Sequence, residues 1–332
     1  MTFRTRFAPT PSGYLHLGNA FSLTLAWLLA RKRGGEILLR IDDLDAERAK
    51  PEYVEDIFTT LAWLGFDWDA GARSAADFYA GYSQRRRLNE YAATLELLRR
   101  NARVFVCDCS RARLAGISSA LALPDGSVMR PYPGVCREKN LPFDLPDRAW
   151  RLRVDAPASV RWREFSHEKT ERAETSDDAS RYGDPIVRRR DGKPAYHIAS
   201  LTDDKLDGVT MIVRGADLRP STATQIVLAE RLGWTEFAER VEFLHHPLAL
   251  APDGGKLSKS AGALSLKALR EKGLPPEMVF AFVAANVGLP TDDGASLQRL
   301  LEAFSPDVAL RALAERPSLL FPSQWKDVVS SI

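Results

Sequence analysis

The chain has 332 residues, 45% of them hydrophobic and 27% charged, with a formal net charge of +2. This is enough material for two domains, or for one large domain with an insertion, and no apolar run reaches the ~20 residues of a membrane span. The nearly balanced charge excludes binding of nucleic acid by bulk positive charge, so any such surface must come from local clusters.

Residues 2–40 read as strand, loop, helix, strand, with no apolar signal-peptide core at the start. Arg6-Phe-Ala-Pro-Thr-Pro-Ser-Gly13 begins as an apolar strand and breaks at Pro9 and Pro11, which cannot donate to a central ladder. His16, Gly18 and Asn19 then stand at the mouth of an apolar helical pattern, Ala20 to Leu29. A helix N-terminus offers N–H groups and a positive dipole end, which suit phosphate. His16 and Asn19 add donors on one side of the first turn, and Gly18 lets a flat ligand approach the backbone. A capped helix with an incidental histidine accounts for the same residues. Glu36 to Ile41 reads as the second strand, so the unit predicts a parallel sheet. At its end Arg40-Ile-Asp42-Asp-Leu-Asp45 places carboxylates where such sheets bind ligands, either to hold an ammonium group or as solvated helix caps.

Pro51 to Leu64 and Tyr82 to Asn101 read as scaffold helices, with Arg85-Arg-Arg87 on a solvated face. Val104 to Cys109 is a strand running into Cys-x-Cys, and Tyr132-Pro-Gly-Val-Cys136 follows. Three cysteines make no disulfide framework; they suit a reducing compartment and a metal site, though three thiolates are one ligand short of a tetrahedron. Trp150 to Val154 and Val160 to Phe165 alternate like short strands, their arginines outward on a β-edge or a nucleic-acid face. Glu168 to Tyr182 is polar and reads as a loop, and Asp191-Gly192 is a hairpin signal. Gly208 to Val213 is a buried strand ending in Arg214-Gly-Ala-Asp217. An arginine there suits a carboxylate, or pairs with Asp217. Ser221 to Leu232 is a helix. Gly254-Gly-Lys256-Leu-Ser-Lys259-Ser is a Gly-rich loop with two lysines, and short helical patterns broken by prolines follow Leu264.

The pair His16-Leu-Gly-Asn19 and Lys256-Leu-Ser-Lys259-Ser260 resembles the HIGH and KMSKS signatures of class I aminoacyl-tRNA synthetases. Arg6-Phe-Ala-Pro-Thr-Pro-Ser-Gly13, Arg40-Ile-Asp-Asp-Leu-Asp45 and Val213-Arg-Gly-Ala-Asp217 resemble the glutamyl-tRNA synthetase family, and above all its short members, which load glutamate onto the queuosine base of tRNA(Asp). The motifs run in the family's order from about Arg4 to about Pro290.

The resemblance implies a Rossmann-like α/β catalytic domain in two halves, 1–105 and 184–250, around a zinc-bearing insertion at 106–183. The KLSKS loop and a short helical region would occupy 251–332, without the anticodon-binding portion. It implies that His16, Gly18, Asn19 and Lys259 bind ATP with Mg2+, and that His16, Asn19, Lys256 and Lys259 serve catalysis. Arg6, Phe7, Ala8, Pro9, Thr10, Asp42, Tyr196 and Arg214 would form the L-glutamate site, Arg214 reading the side chain. Asp42 stands where the family has Glu, and His197 where it has Asn, so the detail of amino-acid binding departs from the pattern. Cys107, Cys109, Tyr132 and Cys136 match the spacing of a structural zinc site, one ion per chain. A cytoplasmic monomer acting on tRNA, with no membrane partner, is expected. Other readings are a minimal glutamyl-tRNA synthetase, an idle RNA-binding paralogue and a small-molecule nucleotidyltransferase.

Overall fold

The computed structural model describes residues 3–123, 126–165, 173–249, 265–290, 295–321 and 325. The chain opens with β1 (Arg4–Phe7), α1 (Leu17–Lys32) and β2 (Glu36–Leu39); the strands pair in parallel from Arg4↔Glu36 to Phe7↔Leu39. Backbone bonding runs past the strand ends, with Arg40 N–H donating to Phe7 O at 2.8 Å and Asp42 N–H to Pro9 O at 3.0 Å. α1 is apolar all round, as a helix enclosed by a core must be, and Phe21, Leu25, Trp27, Leu28 and Ala30 are all buried. α2 (Pro51–Trp63) starts on a proline, whose missing N–H costs nothing in the first turn, and buries Val54, Ile57 and Leu61. β3 (Ala70–Gly71) pairs in parallel with β2, and α3 is the single turn Ala75–Asp77.

The helix predicted from Tyr82 is shorter than its pattern. α4 (Leu88–Asn101) is preceded by a wider turn over Phe78–Tyr82 and a tighter one over Gln84–Arg87. The break is tertiary: the Ser83 hydroxyl and the Gln84 N–H both donate to the Asp43 carboxylate, at 2.6 and 2.8 Å.

β4 (Val104–Cys107), α5 (Arg111–Ile117) and the small hairpin of β5 (Leu121–Ala122) and β6 (Val128–Met129) come next. β7 (Ala149–Leu152) lies antiparallel between β4 and β10 (Ile186–Arg188). β8 (Ser159–Glu164) is followed by β9 (Ala173–Asp178), which pairs with it from Ser159↔Asp178 to Glu164↔Ala173. The loop expected over 168–182 is therefore a strand across 173–178. At a sheet edge a strand needs no apolar alternation, and polar residues guard the edge. The Asp191–Gly192 turn exists, closed by Arg189 N–H to Lys193 O at 2.7 Å, but one bridge later the chain enters α6 (Tyr196–Leu206) rather than a second hairpin strand.

β11 (Met211–Gly215), α7 (Arg219–Arg231), α8 (Thr235–Arg240) and β12 (Glu242–His246) follow. β11, β12 and β8 are parallel neighbours, so β8 and β9, inside the 106–183 segment, join the same sheet as β11. β1 lies against β11, with Thr210 N–H donating to Arg4 O at 2.9 Å and the Thr5 hydroxyl to Met211 O at 3.0 Å. Strand order thus reverses between β1 and β11. Open α/β sheets bind ligands outside the carboxyl ends of the strands at such a reversal.

Among the described residues beyond β12 the helices are α9 (Leu266–Glu271), α10 (Pro276–Asn286), α11 (Leu297–Ala303) and α12 (Pro306–Ala314). β13 (Leu248–Ala249) pairs with β14 (Ser318–Leu319), which ties this part back to the sheet. Phe282 of α10 packs on Phe21 of α1, ring centroids 6.0 Å apart, so one core joins both parts. Among the described residues no helix is long and apolar enough to cross a membrane.

Candidate active site

A cleft of about 500 Å³ opens at the strand-order reversal. Arg6, Ala8, Pro9 and Thr10 line it from the end of β1, Asp42 from beyond β2, Tyr196 from the start of α6 and Arg214 from the end of β11. His16, Gly18 and Asn19 line it from the N-terminus of α1. Phe7 does not: its side chain is fully buried against Phe66, centroids 5.4 Å apart, so of the apolar residues in that stretch only Ala8 and Pro9 offer a surface. Lys256 and Lys259 lie outside the described residues.

His16 caps α1, and its backbone N–H donates to Asn19 Oδ1 at 3.0 Å. A side chain at Gly18 would bring its Cβ within 3.0 Å of the His16 ring. The glycine expected to clear space for a ligand thus also makes room for the histidine, which is a nearer reason for it.

Behind the cleft lies a charge network that sequence reasoning did not foresee. Arg40 donates to Asp42 Oδ1 at 2.7 Å and to Asp204 Oδ1 at 2.6 Å, and Arg6 Nε reaches the same Asp204 oxygen at 3.2 Å. Asp203 beside it accepts from Gln84 Nε2 at 2.8 Å, from the Tyr91 hydroxyl at 2.9 Å and from Arg87 at 2.8 Å. Arg87 also spans to Asp207 at 2.8 Å, and Arg85 lies 3.4 Å from Asp43. The solvated face expected for Arg85-Arg-Arg87 is therefore wrong for Arg87. Its tip is spent on Asp203, a fully buried carboxylate. The available signal was the adjacent Asp203-Asp204 pair in the middle of a helical stretch.

The network sets the state of Asp42. Burial pushes its pKa up to about 6, the nearby Asp203 and Asp204 add to this, and Arg40 opposes it. A cation arriving in the cleft would favour the ionised form.

Arg214 is held from β12 and α7. Its Nη2 donates to the Thr222 hydroxyl and, at 2.9 Å, to Gln225 Oε1; Nε lies 3.4 Å from His245 Nε2. Nη1 is buried without a hydrogen-bond partner in the protein. Burial lowers the guanidinium pKa, and Tyr196 and Asp204 pull the other way. A desolvated cation with a spare donor at a cleft suits a carboxylate. The same environment, burial first and then Arg214, pushes the His197 ring down to about 4, so it is neutral.

A second constellation sits at the end of β4. Cys107, Cys109 and Cys136 are buried, reduced, and mutually within 4.8 Å at their sulfurs. The Tyr132 oxygen is 3.6 Å from Cys107 Sγ and accepts the Cys136 N–H at 2.9 Å. Asp108, the other nearby oxygen donor, is engaged by Lys139 at 2.8 Å. Arg151, expected to point outward, turns in and stacks over the Tyr132 ring at 3.9 Å. Three sulfurs and one oxygen in this spacing match a four-coordinate, closed site. Tyr132 is seated through Gly183, where any Cβ would lie 2.6 Å from the Tyr132 backbone nitrogen.

A family model described as tRNA synthetases class I (E and Q), catalytic domain, matches residues 2–304. The Glutamyl-Q tRNA(Asp) synthetase of Nitratidesulfovibrio vulgaris is 38% identical over 292 residues, covering 87% of this chain and 87% of that protein. That of Symbiobacterium thermophilum is 39% identical over 290 residues, 86% of each. Among solved structures, the glutamate-tRNA synthetase of Elizabethkingia anophelis superposes with a TM-score of 0.75 at 25% identity, covering 98% of this chain and 69% of that one.

Proposed function

The chain belongs to the class I tRNA synthetase family for glutamate and glutamine, and from that premise we propose that it activates L-glutamate with ATP and transfers it to the queuosine base of tRNA(Asp). The proteins it resembles at 38% and 39% identity are named as Glutamyl-Q tRNA(Asp) synthetases. The observation that carries the reading is the convergence of Arg6, Asp42 and Arg214 with the His16–Asn19 helix start on one cleft.

In the first step an oxygen of the glutamate α-carboxylate attacks the α-phosphorus of ATP and pyrophosphate leaves. In the second a queuosine hydroxyl attacks the glutamyl carbonyl, loses its proton and releases AMP. Neither step asks the protein for covalent chemistry, so positioning and charge stabilisation dominate. The α1 N-terminus, His16 and Asn19 face the phosphates, with Gly18 allowing the close approach. Lys259, helped by Lys256, would balance the charge that develops as pyrophosphate departs. Arg6 and Arg214 take the two carboxylates of glutamate and Asp42 its ammonium group. Thr10 and Tyr196 complete the polar wall, and Ala8 and Pro9 the apolar one. Mg2+ bound with ATP would supply charge neutralisation on its phosphates.

The test is transfer of labelled glutamate to tRNA(Asp) with and without queuosine, and to tRNA(Glu). Label on queuosine-containing tRNA(Asp) alone is the expected result. Label on tRNA(Glu) instead would make the chain a minimal glutamyl-tRNA synthetase.

Cys107, Cys109, Cys136 and Tyr132 would hold one structural Zn2+, since four protein ligands leave no open position for catalysis. Gently purified protein is expected to contain close to one zinc per chain by elemental analysis. A strong chelator is expected to lower its thermal midpoint, because the binding energy of a structural zinc is folding energy. Metal content far below stoichiometric would overturn the assignment.

A further inference from the structure

The orientation of Arg214 is traceable through a file of hydrogen bonds that begins outside the cleft. Glu164 is the last residue of β8, and its carboxylate continues the ladder where the strand stops. It accepts the His245 backbone N–H at 2.9 Å, His245 Nδ1 at 2.9 Å and the Trp162 indole N–H at 2.9 Å. An ionised carboxylate only accepts, so Nδ1 carries the ring proton. In a neutral ring Nε2 is then a lone pair. The Thr222 hydroxyl lies 2.7 Å from that lone pair, closer than its other acceptor, Leu218 O, at 3.3 Å. With its proton given to His245, the Thr222 oxygen is free to accept from Arg214 Nη2. Arg214 Nε faces the same Nε2 lone pair, and Gln225 takes the other side of Nη2. Nη2 and Nε are thereby spent on the protein, and Nη1 is the nitrogen left without a protein partner.

We propose that Glu164 and His245 are positioning residues that fix the donor pattern of Arg214 and so set the enzyme's selectivity for a substrate carrying a second carboxylate. This rests on the reading of the cleft as the glutamate site. The opposite tautomer would set an Nδ1 lone pair against the Glu164 carboxylate, acceptor against acceptor, and aim an N–H at the Arg214 guanidinium, donor against donor. The charged ring would add a second cation beside Arg214, with Arg219 a further 3.8 Å from Glu164. Burial holds the ring below its ordinary pKa even against the pull of Glu164. Glu164 in turn stays below the usual carboxylate range although it is buried, because His245 and Trp162 bond it.

The experiment measures glutamate-dependent ATP–pyrophosphate exchange in the whole enzyme. KM for glutamate, KM for ATP and kcat are taken separately for wild type, His245→Phe, His245→Gln and Glu164→Gln. His245→Phe keeps the ring volume and removes both nitrogens. It is expected to raise KM for glutamate roughly tenfold or more, the worth of one charge-assisted hydrogen bond. KM for ATP and kcat should stay within about threefold, since only carboxylate recognition is touched. His245→Gln restores an acceptor near the place of Nε2 and should recover most of the loss. Glu164→Gln can donate to Nδ1 and release the tautomer, so it should raise KM for glutamate in the same sense. A folded His245→Phe enzyme with wild-type KM for glutamate overturns the proposal, as does parallel loss in glutamate KM, ATP KM and kcat. If His245→Phe does not fold, an unchanged KM in Glu164→Gln overturns it instead. Wild-type enzyme that activates no glutamate sinks the substrate reading, and this inference with it, before any variant is compared.

Discussion

Arg214→Ala is expected to lower kcat/KM for glutamate activation by roughly two to three orders of magnitude, while the protein stays folded. The side chain is buried at the end of β11 and lines the cleft, with Nη1 unpartnered by protein. In the proposed reaction that nitrogen meets the substrate's side-chain carboxylate in a desolvated site. Truncating one partner of such a pair costs about 2–5 kcal/mol, much of it the penalty of leaving the other charge buried and unpaired. Arg214→Lys should recover little. A single ammonium cannot satisfy Thr222 and Gln225 and still present a donor to the cleft. Pyrophosphate exchange over a glutamate series reads the effect. An Arg214→Ala enzyme within a few-fold of wild type would show that the carboxylate is read elsewhere.

Asp204→Ala is expected to be the most destabilising single change in this part of the fold, by about 3–5 kcal/mol, as for removal of one member of a buried charge network. Asp204 is fully buried and accepts from both Arg6 and Arg40, whose side chains are only 6% and 4% exposed. Its loss leaves Arg6 without the carboxylate at 3.2 Å and Arg40 with Asp42 as its close partner. Equilibrium urea unfolding measures this, and Arg100→Ala, which breaks an exposed pair with Glu96, is the control with little expected effect. The pH dependence carries a sign. Burial alone would raise the Asp204 pKa, but Arg40 and Arg6 hold it below the ordinary value. Its stabilisation is therefore present above the unfolded carboxyl pKa, near 4, and is lost as pH falls below that. Asp42, pushed up to about 6, acts oppositely: its ionised form costs stability above that pH, and the cost is relieved as the carboxyl protonates on acidification. Asp204→Ala should flatten the acid limb of the wild-type curve. An unchanged urea midpoint would mean the two arginines find other partners.

The residues that line the cleft were legible because local rules place them. A strand broken by Pro9 and Pro11, a polar entry to an apolar helix at His16, and a buried strand ending in Arg214 are each stated by a few consecutive residues. The thiols of Cys107, Cys109 and Cys136 were legible as a metal-site candidate, and Tyr132 was added to them by the resemblance to the short family members. The parallel pairing of β1 with β2 follows from the strand–helix–strand pattern, whereas the reversal of strand order between β1 and β11 came from the structure. What the linear chain did not disclose are relations that only the packing of the folded chain creates. Arg87 looked like surface because its helical neighbours are solvated, yet its tip meets Asp203. Residues 173–178 looked like a loop because an edge strand needs no apolar face, yet β8 pairs with them along their whole length. Gly18 looked like a ligand's clearance and turned out to be the His16 ring's as well. Glu164 and His245 carried no signal at all, since a carboxylate and an imidazole acquire meaning only when β8 and β12 bring them within hydrogen-bond distance. Periodicity and turn chemistry are properties of a few neighbouring residues, so the sequence alone determines the elements and the chemistry offered at their ends. Burial and charge pairing depend on what the fold lays alongside, so the tertiary structure alone decides which of those charged groups are held, which are neutral, and which nitrogen is left to meet a substrate.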